Sequence, residues 1–167
     1  MTIQIGDKLP SATLFEFFHE ETAGCSLGPN AFEVQKESAG KTIAILALPG
    51  AYTPTCSAKH VPGFIEHFSA FKAKGVDEIW CISVNDAFVM GAWGKSLGAE
   101  GKVRMMADGS AEFTKKIGME LDLNARGLGV RSQRYSMLVQ DGVVKQFNLD
   151  AAGAFESSTA EKLLSQI

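Results

Sequence analysis

The run Thr42-Ile-Ala-Ile-Leu-Ala-Leu48, stopped by Pro49-Gly50, constrains the fold more than any other feature of this chain. Seven residues are too few for a buried helix. Their continuous apolarity, with no polar alternation, is that of a strand covered on both faces, as in a parallel sheet flanked by helices. Glu78 to Val84 repeats the pattern, and Val103 to Ala107 gives a third such strand. Between them lie helical stretches. One starts at Thr53-Pro54, with threonine as the capping oxygen and proline at the first helical position. Pro62-Gly63 is expected to interrupt it, and it resumes from Phe64 to Lys74 with Phe64, Phe68 and Phe71 as an apolar stripe. A second helix runs from the cap Asn85-Asp86 to about Leu97, and a third lies near Ser110 to Ile117 behind Asp108.

The C-terminal part changes pattern. Arg134 to Gln140 and Val143 to Leu149 flank Asp141-Gly142, a strong hairpin signal, and a last helix starts at Ser158 or Thr159 and ends near Gln166. Ile3 to Phe18 reads as short extended pieces. Gly24 to Lys41 reads as loop and turn, with an edge strand near Phe32 and Val34. The order strand, helix, strand, helix, strand, helix, hairpin, helix specifies an α/β fold with a mixed central sheet, of thioredoxin-like shape. Neither an internal repeat nor a linker-like run divides residues 1–167, so one domain is expected.

Charge and composition exclude some functions. A formal charge of −3 with no run of like charges argues against nucleic acid or an anionic membrane as partner. The longest apolar stretch is strand-sized, and Met1 to Pro10 lacks the basic-then-apolar pattern of a secretory signal, so a cytoplasmic protein is expected. The chain has 3 cysteines, none in a Cys-x-x-Cys pair, which argues against a disulfide framework or a structural zinc site.

One of the three stands in a chemically loaded place. The buried strand delivers the chain through Pro49-Gly-Ala-Tyr-Thr-Pro-Thr to Cys56 in the first turn of the next helix. Unpaired backbone N–H groups and the positive helix end favour a thiolate there, and the thiolate is the nucleophile. A cysteine at such a junction is otherwise a small buried hydrophobe. Thr53, Thr55 and Ser57 make these surroundings polar, and His60 lies four residues on, where a Cys–His pair is conceivable.

Pro49-x-x-x-Thr53-x-x-Cys56 matches the active-site motif of the peroxiredoxins, and the run from Pro49 to Phe64 resembles the peroxiredoxin 5 subfamily. The likeness continues through Trp80 to Asp86, Phe88 to Trp93, Met106 to Gly109 and Arg134 to Gly142. The resemblance implies a thiol-dependent peroxidase that reduces hydrogen peroxide or alkyl hydroperoxides to water or the alcohol. Cys56 corresponds to the peroxidatic cysteine, which becomes a sulfenic acid. Thr53 corresponds to the hydroxyl that bonds the sulfur or the peroxide, Pro49 to the proline that shields the pocket, and Arg134 to the active-site arginine. Arg131 is a rival for that last place. Sulfur supplies both electrons, so neither a metal nor an organic cofactor is implied.

Some relatives resolve the sulfenic acid with a cysteine near the C-terminus, but Gly153-Ala-Phe-Glu-Ser-Ser-Thr159 contains none. Cys81, mid-strand in an apolar run, reads as buried. Cys25, in Ala23-Gly-Cys-Ser-Leu-Gly-Pro29, reads as a loop thiol that could pair across a dimer. The preferred cycle uses one cysteine, resolved by glutathione, glutaredoxin or thioredoxin. The resemblance also implies a homodimer packed near the site, and Phe88, Leu123 and Leu128 could form an apolar rim suited to organic peroxides. His19 and His67 read as surface or core residues, and Asp86 and Trp93 as cap and core. Two other classes use the same thiol: a redox sensor passing oxidation on by disulfide exchange, and a Cys–His hydrolase, for which no orienting Asn or Asp is evident.

Overall fold

The structure is a computed structural model that describes residues 1–18 and 28–167. His19 and Cys25 lie outside the described residues. The strands are β1 (Thr13–Phe18), β2 (Gly28–Glu33), β3 (Thr42–Ala47), β4 (Glu78–Ser83), β5 (Arg104–Ala107), β6 (Glu120–Leu123), β7 (Gly129–Ser132), β8 (Tyr135–Gln140) and β9 (Val143–Leu149). The α-helices are α1 (Val34–Ser38), α2 (Val61–Glu66), α3 (Phe68–Ala73), α4 (Ala87–Leu97), α5 (Glu112–Lys116) and α6 (Ala160–Leu164).

Seven strands make one mixed sheet in the order β2-β1-β5-β4-β3-β8-β9, with β3, β4 and β5 parallel and the outer strands antiparallel. This is the thioredoxin-like fold. Successive residues of β3 feed two separate cores, because side chains alternate across a sheet. Ala44, Leu46 and Leu48 pack with Cys56, Phe64, Phe71, Trp93 and Leu163 on one face. Ile43, Ile45 and Ala47 pack with Phe113, Ile117, Leu9 and Tyr135 on the other. Leu48 and the five residues from Ile43 to Ala47 are fully shielded, which explains why the run shows no polar alternation.

The expected punctuation is mostly in place. Asp86 caps α4 by accepting from the Val89 N–H, and Gly98, at φ 69°, ends it in the left-handed conformation. Asp141 (φ 49°) and Gly142 (φ 72°) form the two-residue hairpin turn between β8 and β9, in which both central residues need positive φ.

Three expectations need correction. Pro62-Gly63 does not break the helix. Cys56–His60 instead forms a π-helical turn that leads directly into α2, and the Val61 N–H bonds the Cys56 carbonyl. A proline inside an α-helix lacks its N–H and collides with the carbonyl four residues back. The wider turn ahead of Pro62 relieves both problems while the helix continues. Residues 34–38, read as loop, form α1, capped by the Glu33 side chain. A second, two-stranded sheet of β6 and β7 stands between α5 and β8, where no strands were expected.

Candidate active site

Strand pairing explains how two residues far apart in sequence meet. Antiparallel register sets Tyr135 of β8 opposite Ala47, the last residue of β3. Arg134, one residue earlier, therefore lies at the C-terminal edge of β3, beside the loop that leads to Cys56. Tyr135 points into the core that holds Ala47, so alternation turns Arg134 towards the opposite face, the one that contains Cys56. The contact follows: Arg134 Nη2 donates to Cys56 Sγ at 3.4 Å. The sulfur's residue is itself fully buried.

The loop between β3 and the cysteine is held from several sides. The Ala51 N–H donates to Asn85 Oδ1 at 2.9 Å, and the same oxygen takes the Ser83 hydroxyl at 2.7 Å. Arg131 Nη1 donates to the Pro49 carbonyl at 3.4 Å, and its Nε to the Leu128 carbonyl. Arg131 thus clamps the outside of the loop, and Arg134 is the arginine that reaches the sulfur. Tyr52, at φ 61°, occupies a conformation that bulky residues rarely adopt, a local strain of the kind that collects at functional sites. Helical structure begins at Pro54, with Trp93 Nε1 donating to Ser57 Oγ at 3.0 Å.

Thr53 departs from its expected role as a cap. Its hydroxyl donates to the Gly50 carbonyl at 2.7 Å rather than accepting from the helix end. The single proton of that hydroxyl is thereby committed, and its oxygen keeps acceptor capacity. Pro49 is half-buried at the start of the loop.

His60 is fully buried but forms no hydrogen bond with Cys56 among the described residues. In a π-helical turn four residues no longer complete one revolution, and the two side chains meet through the Arg134 guanidinium instead of bonding each other. Its Nδ1 faces Arg134 Nη1 at 3.1 Å, and its Nε2 faces the Ser158 carbonyl at 3.0 Å. Burial, reinforced by the neighbouring guanidinium, pushes the imidazole down to about 3, so it is neutral near pH 7. Phe155 packs against both, its ring 5.1 Å from that of His60 and 5.7 Å from the Arg134 guanidinium. Sequence reasoning missed Asn85, Ser158, Asp150 and Phe155 as neighbours of the site. Ser158 is 98 residues from His60, and no local spacing announces the pair.

Cys81 shares the core cluster of Cys56 and is fully buried, as expected. Burial, and then the nearby Cys56, push its thiol well up, which makes it a poor nucleophile. His67 pairs with Glu161 at 3.1 Å. Phe88 and Leu128 are exposed, and Leu123 is half-buried at the end of β6. Among the described residues no group of three His, Cys, Asp or Glu side chains could hold a metal ion, and no helix is long and apolar enough to cross a membrane.

A cysteine at the start of a helix on this sheet, faced by an arginine, belongs to the thiol-redox class of thioredoxin-like proteins. Comparison with known proteins narrows the class. Residues 4–164 match the Redoxin family. Peroxiredoxin-2E, chloroplastic, of Arabidopsis thaliana is 50% identical over 165 residues, which are 98% of this chain and 68% of that protein. The reduced Prx3 of Vibrio vulnificus in complex with hydrogen peroxide superposes with a TM-score of 0.90 at 46% identity, covering 98% of each chain. A Burkholderia cenocepacia protein, provisionally described as a thioredoxin reductase, superposes with a TM-score of 0.99 at 57% identity, covering 100% of this chain and 99% of that one. The chain belongs to the peroxiredoxin family, whose members are thiol peroxidases and therefore oxidoreductases.

Proposed function

We propose that Cys56 is the peroxidatic nucleophile of a one-cysteine peroxiredoxin of the peroxiredoxin 5 type, and that residues 1–167 act as one catalytic domain. The observation that carries this reading is the 3.4 Å contact between Arg134 Nη2 and Cys56 Sγ inside a buried site. A guanidinium there offers donors to the peroxide and to the charge that develops on its leaving oxygen. The thiolate attacks one peroxide oxygen, the O–O bond breaks, and the other oxygen leaves as water or the alcohol after taking a proton. Cys56 is left as a sulfenic acid. Thr53, whose proton is on Gly50, accepts from the peroxide O–H, and Pro49 shields the pocket. A first external thiol condenses with the sulfenic acid to give a mixed disulfide and water. A second thiol releases Cys56 and leaves as the oxidised disulfide.

Cys81 is too deeply buried to resolve the sulfenic acid without disrupting β4, which supports an external reductant: glutathione, glutaredoxin or thioredoxin. Hydrogen peroxide and alkyl hydroperoxides are the substrates, and the protein works as a homodimer in the cytoplasm. Stopped-flow oxidation of the reduced protein by hydrogen peroxide and by an organic hydroperoxide tests the core of the proposal. Fast oxidation that disappears in Cys56→Ser supports it. Oxidation no faster than that of a free thiol, or unchanged in the variant, overturns it. Multiple turnovers with excess glutathione distinguish a peroxidase from a stoichiometric redox sensor.

A further inference from the structure

The hydrogen bonds behind Arg134 have a direction, and it can be followed from a carboxylate to the sulfur. Asp150 is buried at the end of β9, and its backbone N–H bonds the Arg134 carbonyl at 3.0 Å. Its Oδ1 accepts from the N–H groups of Glu156 (3.0 Å) and Ser157 (2.6 Å). Its Oδ2 accepts the Ser158 hydroxyl at 2.5 Å. Burial works against ionisation of this carboxyl, but the bonds from Ser158, Ser157 and Glu156 hold it below the usual carboxylate range. An ionised carboxylate only accepts. The Ser158 proton is therefore spent on Asp150.

That leaves only acceptors facing His60 Nε2: the Ser158 carbonyl at 3.0 Å and the Ser158 hydroxyl oxygen at 3.3 Å. Nε2 must carry the imidazole proton. Nδ1 then presents a lone pair, which suits the Arg134 Nη1 donor at 3.1 Å, while Nη2 of the same planar group reaches Cys56 Sγ. With the other tautomer, or with imidazolium, two N–H groups would face each other at Nδ1. The charged groups acting on His60 are Arg134 and Asp150, and the rings of Phe64 and Phe155 pack on it.

We propose that Asp150, Ser158 and His60 form a positioning chain that fixes the tautomer of His60 and through it aims the Arg134 guanidinium at Cys56. This rests on Cys56 being the thiol that reacts with peroxide. The chain links the segment after β9 to the nucleophile, so residues with no contact to substrate set the reactivity of the sulfur.

The test combines imidazole nitrogen NMR on the full-length reduced protein with stopped-flow oxidation by hydrogen peroxide, using His60→Leu, His60→Gln, Asp150→Asn and, as control, Cys56→Ser. In the wild type, His60 is expected to be protonated at Nε2 and bare at Nδ1 from about pH 5 to about pH 8. His60→Leu slows oxidation on the order of tenfold to a hundredfold, the scale of a misaimed catalytic group. His60→Gln, whose amide can both accept from Arg134 and donate to Ser158, recovers most of the rate. Asp150→Asn frees the Ser158 proton, giving a mixed tautomer and an intermediate rate. Protonation at Nδ1 in the wild type, a wild-type rate in folded His60→Leu, or a Gln variant as slow as the Leu variant overturns the proposal. If His60→Leu does not fold, Asp150→Asn decides: an unchanged tautomer and unchanged rate refute the chain. Oxidation that persists in Cys56→Ser refutes the underlying site reading instead, and the tautomer measurement still stands apart from it.

Discussion

At the residue scale, the site is a fully buried sulfur that accepts a hydrogen bond from the Arg134 guanidinium. Replacing Arg134 with Met keeps most of its length and removes every donor. Oxidation by hydrogen peroxide is expected to slow by about a hundredfold to a thousandfold, the usual effect of deleting one donor from a site that stabilises developing charge. Stopped-flow rates at fixed pH measure this directly. His60 yields a second prediction, in stability. In the unfolded chain it takes its proton near 6.5, and in the folded protein only near 3. As the pH falls through this window, the unfolded state binds the proton first, so folding stability is full above 6.5 and declines below it. The slope is about 1.4 kcal/mol per pH unit. Urea midpoints of the wild type should therefore fall between about pH 6.5 and about pH 5, a decline that His60→Gln lacks. Carboxylates held low by their partners, such as Asp150, lose their contribution only further down, below 3.8.

At the scale of elements, the link between α4 and the site depends on close approach to the sheet. A Cβ on Gly91 would lie 2.9 Å from Phe17 Cδ1 and 3.0 Å from Phe17 Cβ, so α4 rests on β1 through a bare backbone. Gly91→Leu adds a good helix former, yet overpacking should cost about 1–3 kcal/mol. Denaturant unfolding would show it, and the same shift should loosen the Trp93 contact with Ser57. Much at this scale was legible in the sequence, because strong local signals agreed with the tertiary structure. Thr42 to Leu48, Asp86 ahead of α4 and Asp141-Gly142 each announce an element without help from distant residues. What could not be read depends on distant partners. The strands β6 and β7 have four residues each; β6 faces solvent on alternate positions and β7 is half-buried up to Ser132, so no buried run marks them. Pro62-Gly63 reads locally as a break, whereas the π-helical turn ahead of it and the burial of Val61 and Phe64 in the core let the helix continue. Pro49, Thr53 and Cys56 stand out through one motif, and Arg134 through a separate run that resembles the same family. The reversal of the Thr53 hydroxyl and the Ser158 contact of His60 had no local sign.

At the scale of the whole molecule, one apolar surface patch bears on assembly. Phe88 and Phe15, 60% and 40% exposed, flank a shallow cavity of about 210 Å³ that Pro29, Ala87 and Ala107 also line. Large aromatic side chains left in water beside an apolar cleft mark an interaction surface. With the homodimer proposed above, Phe88→Asp is expected to shift the protein to monomer in sedimentation equilibrium, with its helix content unchanged. A wild type that sediments as a monomer at high concentration would remove the dimer from the picture.

The full burial of Cys56, the first residue of its π-helical turn, also acts as a sieve. Hydrogen peroxide is two heavy atoms across, whereas the sulfur of a protein reductant arrives attached to a surface. Under the proposed cycle, the five wound residues face the small peroxide first and a bulkier thiol partner second. In the cycle proposed above with a protein reductant, turnover is expected to follow how often Cys56–His60 opens. Comparing capture of Cys56 by a small alkylating agent and by a bulky one would read that opening frequency as a ratio of rates.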